Sequence, residues 1–192
     1  MRKASKLRKG FTLIELLIVI AVIAILAAVV APNAFSAIEK SKMNKIIAEC
    51  KVIEGATLQH YTDTSEWPRF RSISNTNMEG YLRNYGVGLK GWNGPYLERW
   101  PQNPFNSGAV ESQQNYQLDY RRVGSSDCLV IEISLNTVPN WQAKAQYIDQ
   151  TVDNGDGQAS GKIQWSNEYV NWIMVKGAKN VKNEAGNSVA AH

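Results

Sequence analysis

The amino-acid sequence predicts an α+β fold, in which a small antiparallel β-sheet packs on the C-terminal half of a long, partly transmembrane N-terminal helix. Residues 11–31 are apolar except for Thr12 and Glu15, as in a membrane-spanning helix. Residues 32–63 carry apolar side chains three or four positions apart, which is the spacing of an amphipathic helix. Beyond residue 63 the chain changes to short apolar segments separated by turns, a pattern typical of strands.

The charge of the 192-residue chain is concentrated at its start. The net charge is +4, but residues 1–10 contain five basic side chains and no acid, which leaves −1 for the rest. A nearly neutral body gives no support for nucleic-acid binding. Two cysteines exclude a four-cysteine zinc site, and the two histidines, His60 and His192, offer no catalytic triad, so we expect no enzymatic activity.

The apolar segment 11–31 has the length of a membrane span. Its 21 residues rise by about 31 Å as a helix, which matches the hydrocarbon core of a bilayer. The basic residues before it predict a cytoplasmic N-terminus and export of everything that follows. The segment is longer than the apolar region of a secretory signal, and Pro32 directly after it makes a poor start for a mature chain.

One residue of this span, Glu15, is unusual. A carboxylate inside a membrane costs about 2.5–3.5 kcal/mol on insertion scales, and such residues normally have a partner. No Lys, Arg or His occurs between Gly10 and Lys40 to provide one. Glu15 therefore either stays at the membrane interface or pairs with a group from another molecule.

The sequence Lys9-Gly10-Phe11-Thr12-Leu13-Ile14-Glu15 resembles the processing motif of type IV prepilins and type II secretion pseudopilins. The resemblance implies that a prepilin peptidase cuts between Gly10 and Phe11 and that Phe11 is then N-methylated. It also implies that Glu15 neutralises the terminal amine of a neighbouring subunit during assembly, which would supply the missing partner.

By this resemblance the chain is a structural subunit of a pilus-like filament, either a type IV pilus or a type II secretion pseudopilus. The precursor would cross the bacterial inner membrane once, with its N-terminus in the cytoplasm, and the filament would be periplasmic or on the cell surface. The implied partners are copies of the chain, the prepilin peptidase, the inner-membrane assembly platform, and minor pilins or pseudopilins. The alternative is a single-span anchor that carries an extracytoplasmic binding domain, which would have no use for a buried Glu15.

The first helix is predicted from about Phe11 to about Asp63. Pro32 removes one helical hydrogen bond and predicts a kink, and Trp67-Pro68 marks the end of the helix. The apolar side chains that follow the span form one stripe along the helix: Met43, Ile46, Ile47, Cys50, Ile53 and Tyr61.

The remaining elements are shorter. The predicted strands are Tyr116–Arg121, Cys128–Leu135, Lys162–Trp165 and Tyr169–Val175, with a short helix at Asn77–Asn84 and weak helical character over Trp141–Gln150. The predicted organisation is a leader (1–10), a transmembrane and filament-core helix (11–31), its amphipathic continuation (32–63), a loop-rich sheet domain (64–176) and a flexible tail (177–192).

Two local motifs add to the resemblance. The loop from Gly94 to Phe105 is similar to the Gly-Pro-Tyr loop of major pseudopilins, although the longer C-terminal half departs from that subclass. The segment Asp153-Asn154-Gly155-Asp156-Gly157 resembles an acidic turn of pseudopilin-like proteins. Asp149, Asp153 and Asp156 are therefore candidate calcium ligands, and the alternative is a plain Asn-Gly and Asp-Gly turn.

Cys50 and Cys128 are the only cysteines. Export to an oxidising compartment would permit a disulfide between them. The two could meet if the sheet packs on the helix, because Cys50 falls on the apolar stripe and Cys128 begins an apolar strand. The alternative is two buried free thiols that act as small hydrophobic residues.

Overall fold

The computed structural model describes residues 10–69, 82–83, 88–105, 116–135, 138–167, 169–182, 188 and 190. It confirms the α+β fold. The elements in chain order are α1 (Leu13–Thr64), β1 (Tyr116–Val123), β2 (Ser126–Ser134), α2 (Trp141–Asp153), β3 (Ile163–Ser166) and β4 (Tyr169–Lys176). The helix predicted at Asn77–Asn84 lies outside the described residues except for Leu82 and Arg83, which are helical.

Helix α1 is a single element of 52 residues and starts and ends within two residues of its predicted limits. It passes through Pro32 without a break, so the kink stays a prediction. The helix ends at Thr64, four residues before Pro68, because Ser65 takes a left-handed conformation, with φ of 57°. In that position the Ser65 amide still donates to the carbonyl oxygen of Tyr61, at 2.7 Å.

The chain divides into two compact units between Ser41 and Lys42. In the first unit the large apolar side chains of α1, from Leu13 to Ile38, are exposed. The second unit contains the rest of α1 and all the other elements. Its core begins at Met43, so the part of α1 from Met43 to Thr64 belongs to a folded domain rather than preceding that domain.

The buried stripe of α1 differs from the predicted one at its end. Met43, Ile46, Ile47, Cys50 and Ile53 are buried as expected, but Tyr61 is exposed and His60 is buried instead. Seven residues make nearly two helical turns, whereas eight overshoot the same face by about 80°. His60 therefore lies on the same helix face as Ile53. The prediction of Tyr61 was wrong by one residue because it relied on apolar character alone.

The four strands form one antiparallel sheet in the order β1-β2-β4-β3. Side chains alternate across it, so that Leu129 and Ile131 of β2 join the core of α1. Two polar contacts fix the helix on the sheet: the Tyr116 hydroxyl donates to Glu49 at 2.6 Å, and the Trp172 indole N–H donates to Glu54 at 2.9 Å.

The C-terminal segment corrects one prediction. Residues 177–182 of the expected flexible tail are held in place, with Ala178 and Val181 in the core. The amides of Gly177 and Ala178 donate to the carbonyl oxygen of Asp127, at 2.8 and 3.0 Å, and the Lys182 ammonium lies 2.6 Å from Glu66. Two isolated apolar residues leave no periodicity in a sequence, which is why this packing was missed.

Candidate functional site

The segment before α1 is where the sequence places processing. Gly10, Phe11 and Thr12 are not helical, and Phe11 is 88% exposed. The first helical residue is Leu13. The bond between Gly10 and Phe11 therefore lies outside the helix and on the surface.

Helix α1 begins with a reciprocal cap between Thr12 and Glu15. The amide and hydroxyl of Thr12 both donate to Oε2 of Glu15, each at 2.8 Å, and the Glu15 amide donates back to the Thr12 hydroxyl at 3.2 Å. This is a capping box, which the pattern Thr-x-x-Glu could have revealed in the sequence. Glu15 thus has a hydrogen-bonding partner within its own chain, but that partner is neutral, and no cation pairs with Glu15 among the residues that the structure describes.

Helix α1 also presents an apolar surface. Its segment in the first unit is the one place in the described chain where a helix is long and apolar enough to cross a membrane, and no part of that segment is buried. Exposed apolar surface on this scale marks a membrane or protein contact. This is the arrangement of a membrane-anchored precursor.

A second site lies at the C-terminal end of α2. Ligand oxygens of Asp149, Asp153 and Asp156 lie within 4.8 Å of one another, so the structure brings together all three carboxylates predicted from the sequence. Asp149 and Asp153 are four residues apart in α2 and share a face, and Asp156 follows in the turn.

Backbone geometry holds this acidic cluster together. Asn154 ends α2 in a left-handed conformation, with φ of 69°, and its amide donates to the carbonyl oxygen of Asp149. Gly161 has φ of 66°, and a Cβ atom there would overlap with carboxylate oxygens of Asp153 and Asp156. The turn therefore requires glycine at 161 both for its backbone and for the space next to the carboxylates.

The charge of the acidic cluster is not balanced by the described residues. Within the described part of the chain no lysine or arginine pairs with these carboxylates, and the Lys162 ammonium binds Glu54 instead. Oδ1 of Asp149 and Oδ1 of Asp153 are buried without a hydrogen-bonding partner. Burial raises the pKa of the Asp149 carboxyl most, and hydrogen bonding to Asp153 and the charges of Asp153 and Asp156 raise it further, against the Gly157 amide, which donates to Asp149 and lowers it.

The acidic cluster fits a hard divalent cation. Calcium takes six to eight oxygen ligands, and here three carboxylates converge. Asp149 is almost fully buried, so its unpartnered oxygen has no access to bulk water. Asp153 is half-buried and Asp156 is exposed. A buried carboxylate such as Asp149 next to two others is costly unless a cation compensates it.

The two cysteines lie on opposite faces of the sheet. Cys50 is in the core between α1 and the sheet, whereas Cys128 packs with Val130 and Ile173 in a separate cluster. Both are buried free thiols, which is the second of the two alternatives left open by the sequence. Strand alternation explains it, because Leu129, not Cys128, points toward α1.

Two families match this chain. Residues 5–31 match the family described as the prokaryotic N-terminal methylation motif, and residues 37–120 match the family described as PilW, C-terminal. The first match covers Gly10, Phe11 and Glu15, and the second begins within α1. The type IV pilin and pseudopilin resemblance is confirmed.

Curated relatives agree with these families. The type II secretion system core protein G of Klebsiella pneumoniae is 28% identical over 141 residues, which cover 70% of this chain and 94% of that protein. The fimbrial protein EcpC of Eikenella corrodens is 36% identical over 47% of this chain and 61% of its own length. A fimbrial protein of Neisseria meningitidis is 40% identical over 43% of this chain and 52% of its own length. No solved structure matches the chain.

Proposed function

We propose that this protein of the type IV pilin and pseudopilin superfamily is made as a membrane-anchored precursor and assembled into a pilus-like filament. The superfamily consists of structural subunits rather than enzymes. The observation that carries the proposal is the exposed apolar surface of α1 directly behind a methylation motif. That surface can lie in a bilayer before assembly and against neighbouring helices in a filament afterwards.

Processing takes place at the inner membrane. The five basic residues of the leader keep the N-terminus cytoplasmic, where a prepilin peptidase cuts between Gly10 and Phe11. Phe11 then becomes the methylated first residue. Intact-mass analysis of the chain from bacterial membranes is expected to show loss of residues 1–10 and gain of one methyl group. A mature chain that starts at Met1 or Pro32 would refute the assignment, and Gly10→Leu is expected to accumulate as precursor.

Assembly pairs Glu15 with the amine of Phe11 from a neighbouring subunit. Cleavage creates a cation at the start of the same apolar segment, and charges paired in low dielectric avoid the cost that each has alone. Both hydrogen bonds from Thr12 use Oε2, so Oε1 can accept the amine without breaking the cap.

Glu15→Gln separates the two roles of this residue. Glutamine can complete a capping box but carries no charge. We expect Glu15→Gln and Glu15→Leu to insert and be cleaved normally, while filaments seen by electron microscopy of sheared material fall to background. Membrane fractionation is the control for insertion. Normal filaments from Glu15→Gln would mean that only the cap matters and would exclude the charge pairing.

The filament is of the secretion type. The chain covers nearly all of the Klebsiella pneumoniae core protein G but only about half to three fifths of the fimbrial proteins. Minor pseudopilins and the assembly platform of such a system are then its partners. The test is expression in a type II secretion strain that lacks its own core protein G, with release of a secreted enzyme as the readout. Surface pili without restored secretion would favour the pilus instead.

The acidic cluster binds calcium. The unpartnered oxygens of Asp149 and Asp153 support this, since a hard cation would supply the partner that the described residues do not. Calcium is expected to raise the melting temperature of the full chain in detergent micelles, and a chelator to lower it again. Asp153→Asn is expected to abolish that rise, whereas Asp127→Asn, at an exposed pair with Arg122, is expected to keep it. An equal rise in both variants would exclude the site.

A further inference from the structure

Lys162 is bonded to three elements at once. Its amide donates to Oδ2 of Asp153 at 2.6 Å, which places its backbone directly on the acidic cluster. Its carbonyl oxygen accepts the amide of Ile173 in β4 at 2.8 Å. Its ammonium reaches across to α1 and lies 2.8 and 2.9 Å from the two carboxylate oxygens of Glu54.

The carboxylate of Glu54 is shared with Trp172 of β4. The indole N–H of Trp172 donates to Oε2 at 2.9 Å, and the Lys162 ammonium lies 5.1 Å from the centre of the indole ring. Trp172 is almost fully buried, so this carboxylate belongs to the contact between α1 and the sheet. A lysine, a glutamate and a tryptophan thus form one bonded group, here called the Glu54 group.

We propose that Lys162 and the Glu54 group couple cation binding at the acidic cluster to the docking of α1 on the sheet. The inference rests on the proposed calcium site. Calcium fixes the carboxylate of Asp153, and that carboxylate fixes the amide of Lys162. The side chain of Lys162 is then pre-positioned to hold Glu54, so binding at the turn stabilises a helix contact that the cation does not touch.

The charges explain why a lysine is placed here. An ammonium beside three carboxylates would fold back on them if nothing else held it, and it would then compete with a cation for their oxygens. Glu54 removes the ammonium from the acidic cluster and binds it at two oxygens. The same ion pair therefore keeps the cation site free and ties α1 to it.

The test measures hydrogen exchange of the full chain in detergent micelles, with and without calcium. In the wild-type chain, calcium is expected to slow exchange at residues 149–163 and, through Lys162, at residues 50–58 of α1 by about fivefold or more. Lys162→Met keeps the aliphatic stem but not the charge, so the slowing is expected to persist at 149–163 and to disappear at 50–58. Lys162→Arg is expected to keep both effects.

A matched control is Lys45→Met, which removes another lysine–glutamate pair of α1, with Glu49, far in sequence from the turn. It is expected to leave both calcium effects unchanged. The indole N–H resonance of Trp172 gives a second readout and is expected to shift with calcium in the wild-type chain but not in Lys162→Met.

The outcomes separate the two proposals. No effect of calcium anywhere in the wild-type chain would reject the cation site, and this coupling with it. Slowing at 149–163 without slowing at 50–58 would leave the site standing and overturn the coupling. Full slowing at 50–58 in Lys162→Met would also overturn it, because α1 would then respond without the ion pair.

Discussion

The buried side chain of His60 is held in its neutral form. Its Nδ1–H donates to the carbonyl oxygen of Glu66 at 2.9 Å, so the neutral ring has its lone pair on Nε2, which is buried without a hydrogen-bonding partner. Burial lowers the pKa of His60. The nearby charges of Glu66 and Asp63 act in the opposite direction, and Arg69 acts with burial. The folded chain therefore resists protonation of this ring.

The free energy of unfolding is expected to fall as the pH drops below about 6.5, by up to about 1.4 kcal/mol per pH unit. The sign follows from the lowered pKa, since the unfolded chain takes up a proton there that the folded chain does not. Urea unfolding between pH 5 and 8 measures it. In His60→Phe, which fills the same space without titrating, this part of the slope should be lost; a slope that persists unchanged would assign the effect to other groups.

The reactivity of the two cysteine thiols can be used to test how tightly each face of the sheet is packed. Cys50 and Cys128 are buried, and burial raises the pKa of the Cys50 thiol, which keeps it protonated. A chromogenic thiol reagent is expected to react with the native chain more than about a hundredfold slower than in urea. The intact mass should match two free thiols. A mass lower by two hydrogens would indicate the disulfide that the structure does not contain.

At the scale of elements, the sequence predicts the ends of the two helices and four strands named above to within three residues. Apolar runs and turns define strands, and the change of period at Trp67 separates them from α1. Which face a residue takes was less predictable. Cys128 lies away from α1 because of strand register, and His60 is buried by helical phase; neither follows from residue type.

In the acidic turn, the carboxylates could be predicted from the sequence, but their long-range contacts could not. Asp149, Asp153 and Asp156 could be selected from the sequence as the acids of, and just before, a turn rich in Asp, Asn and Gly. The place of Gly161 against their oxygens depends on a turn that closes between α2 and β3, and the link from Lys162 to Glu54 joins residues 108 positions apart. Such long-range contacts leave no local pattern.

Gly161→Ala and Gly124→Ala form a matched pair at this scale. Both glycines have positive φ, of 66° and 62°, but a Cβ at 124 meets nothing and one at 161 meets two carboxylates. We expect Gly124→Ala to cost about 1 kcal/mol from backbone conformation alone. Gly161→Ala should cost more and should also remove stabilisation by calcium. Equal losses and an equal calcium response in thermal melting would show that the contact is unimportant.

At the scale of the whole molecule, the two units have opposite relations to solvent. The first exposes its apolar residues, and every buried residue of the described chain lies at Met43 or beyond. The core of the described chain therefore lies in the second unit, formed by α1 and the sheet. The boundary falls inside a continuous helix, between Ser41 and Lys42, directly after the first charged side chains that follow the apolar segment, Glu39 and Lys40.

A chain that begins at Lys42 is expected to fold by itself and to remain in solution without detergent. The reason is that none of the described residues before Lys42 belongs to the core. Circular dichroism and a single cooperative thermal transition would confirm it. A disordered or aggregated product would mean that the first unit contributes to the stability of the second.

The reciprocal cap at Thr12 and Glu15 has a consequence for how the precursor is recognised. Proteases cut backbone that is exposed and free of regular structure, and a helix conceals its own peptide bonds in hydrogen bonds. An apolar helix with good helix formers tends to grow backward by a turn if nothing stops it. Here the amide of Glu15 already donates to the Thr12 hydroxyl. The helix cannot start earlier without breaking that hydrogen bond. Glu15, the residue proposed to guide assembly, thereby helps to keep the bond between Gly10 and Phe11 outside the helix. That bond stays accessible to the prepilin peptidase, which must act before assembly.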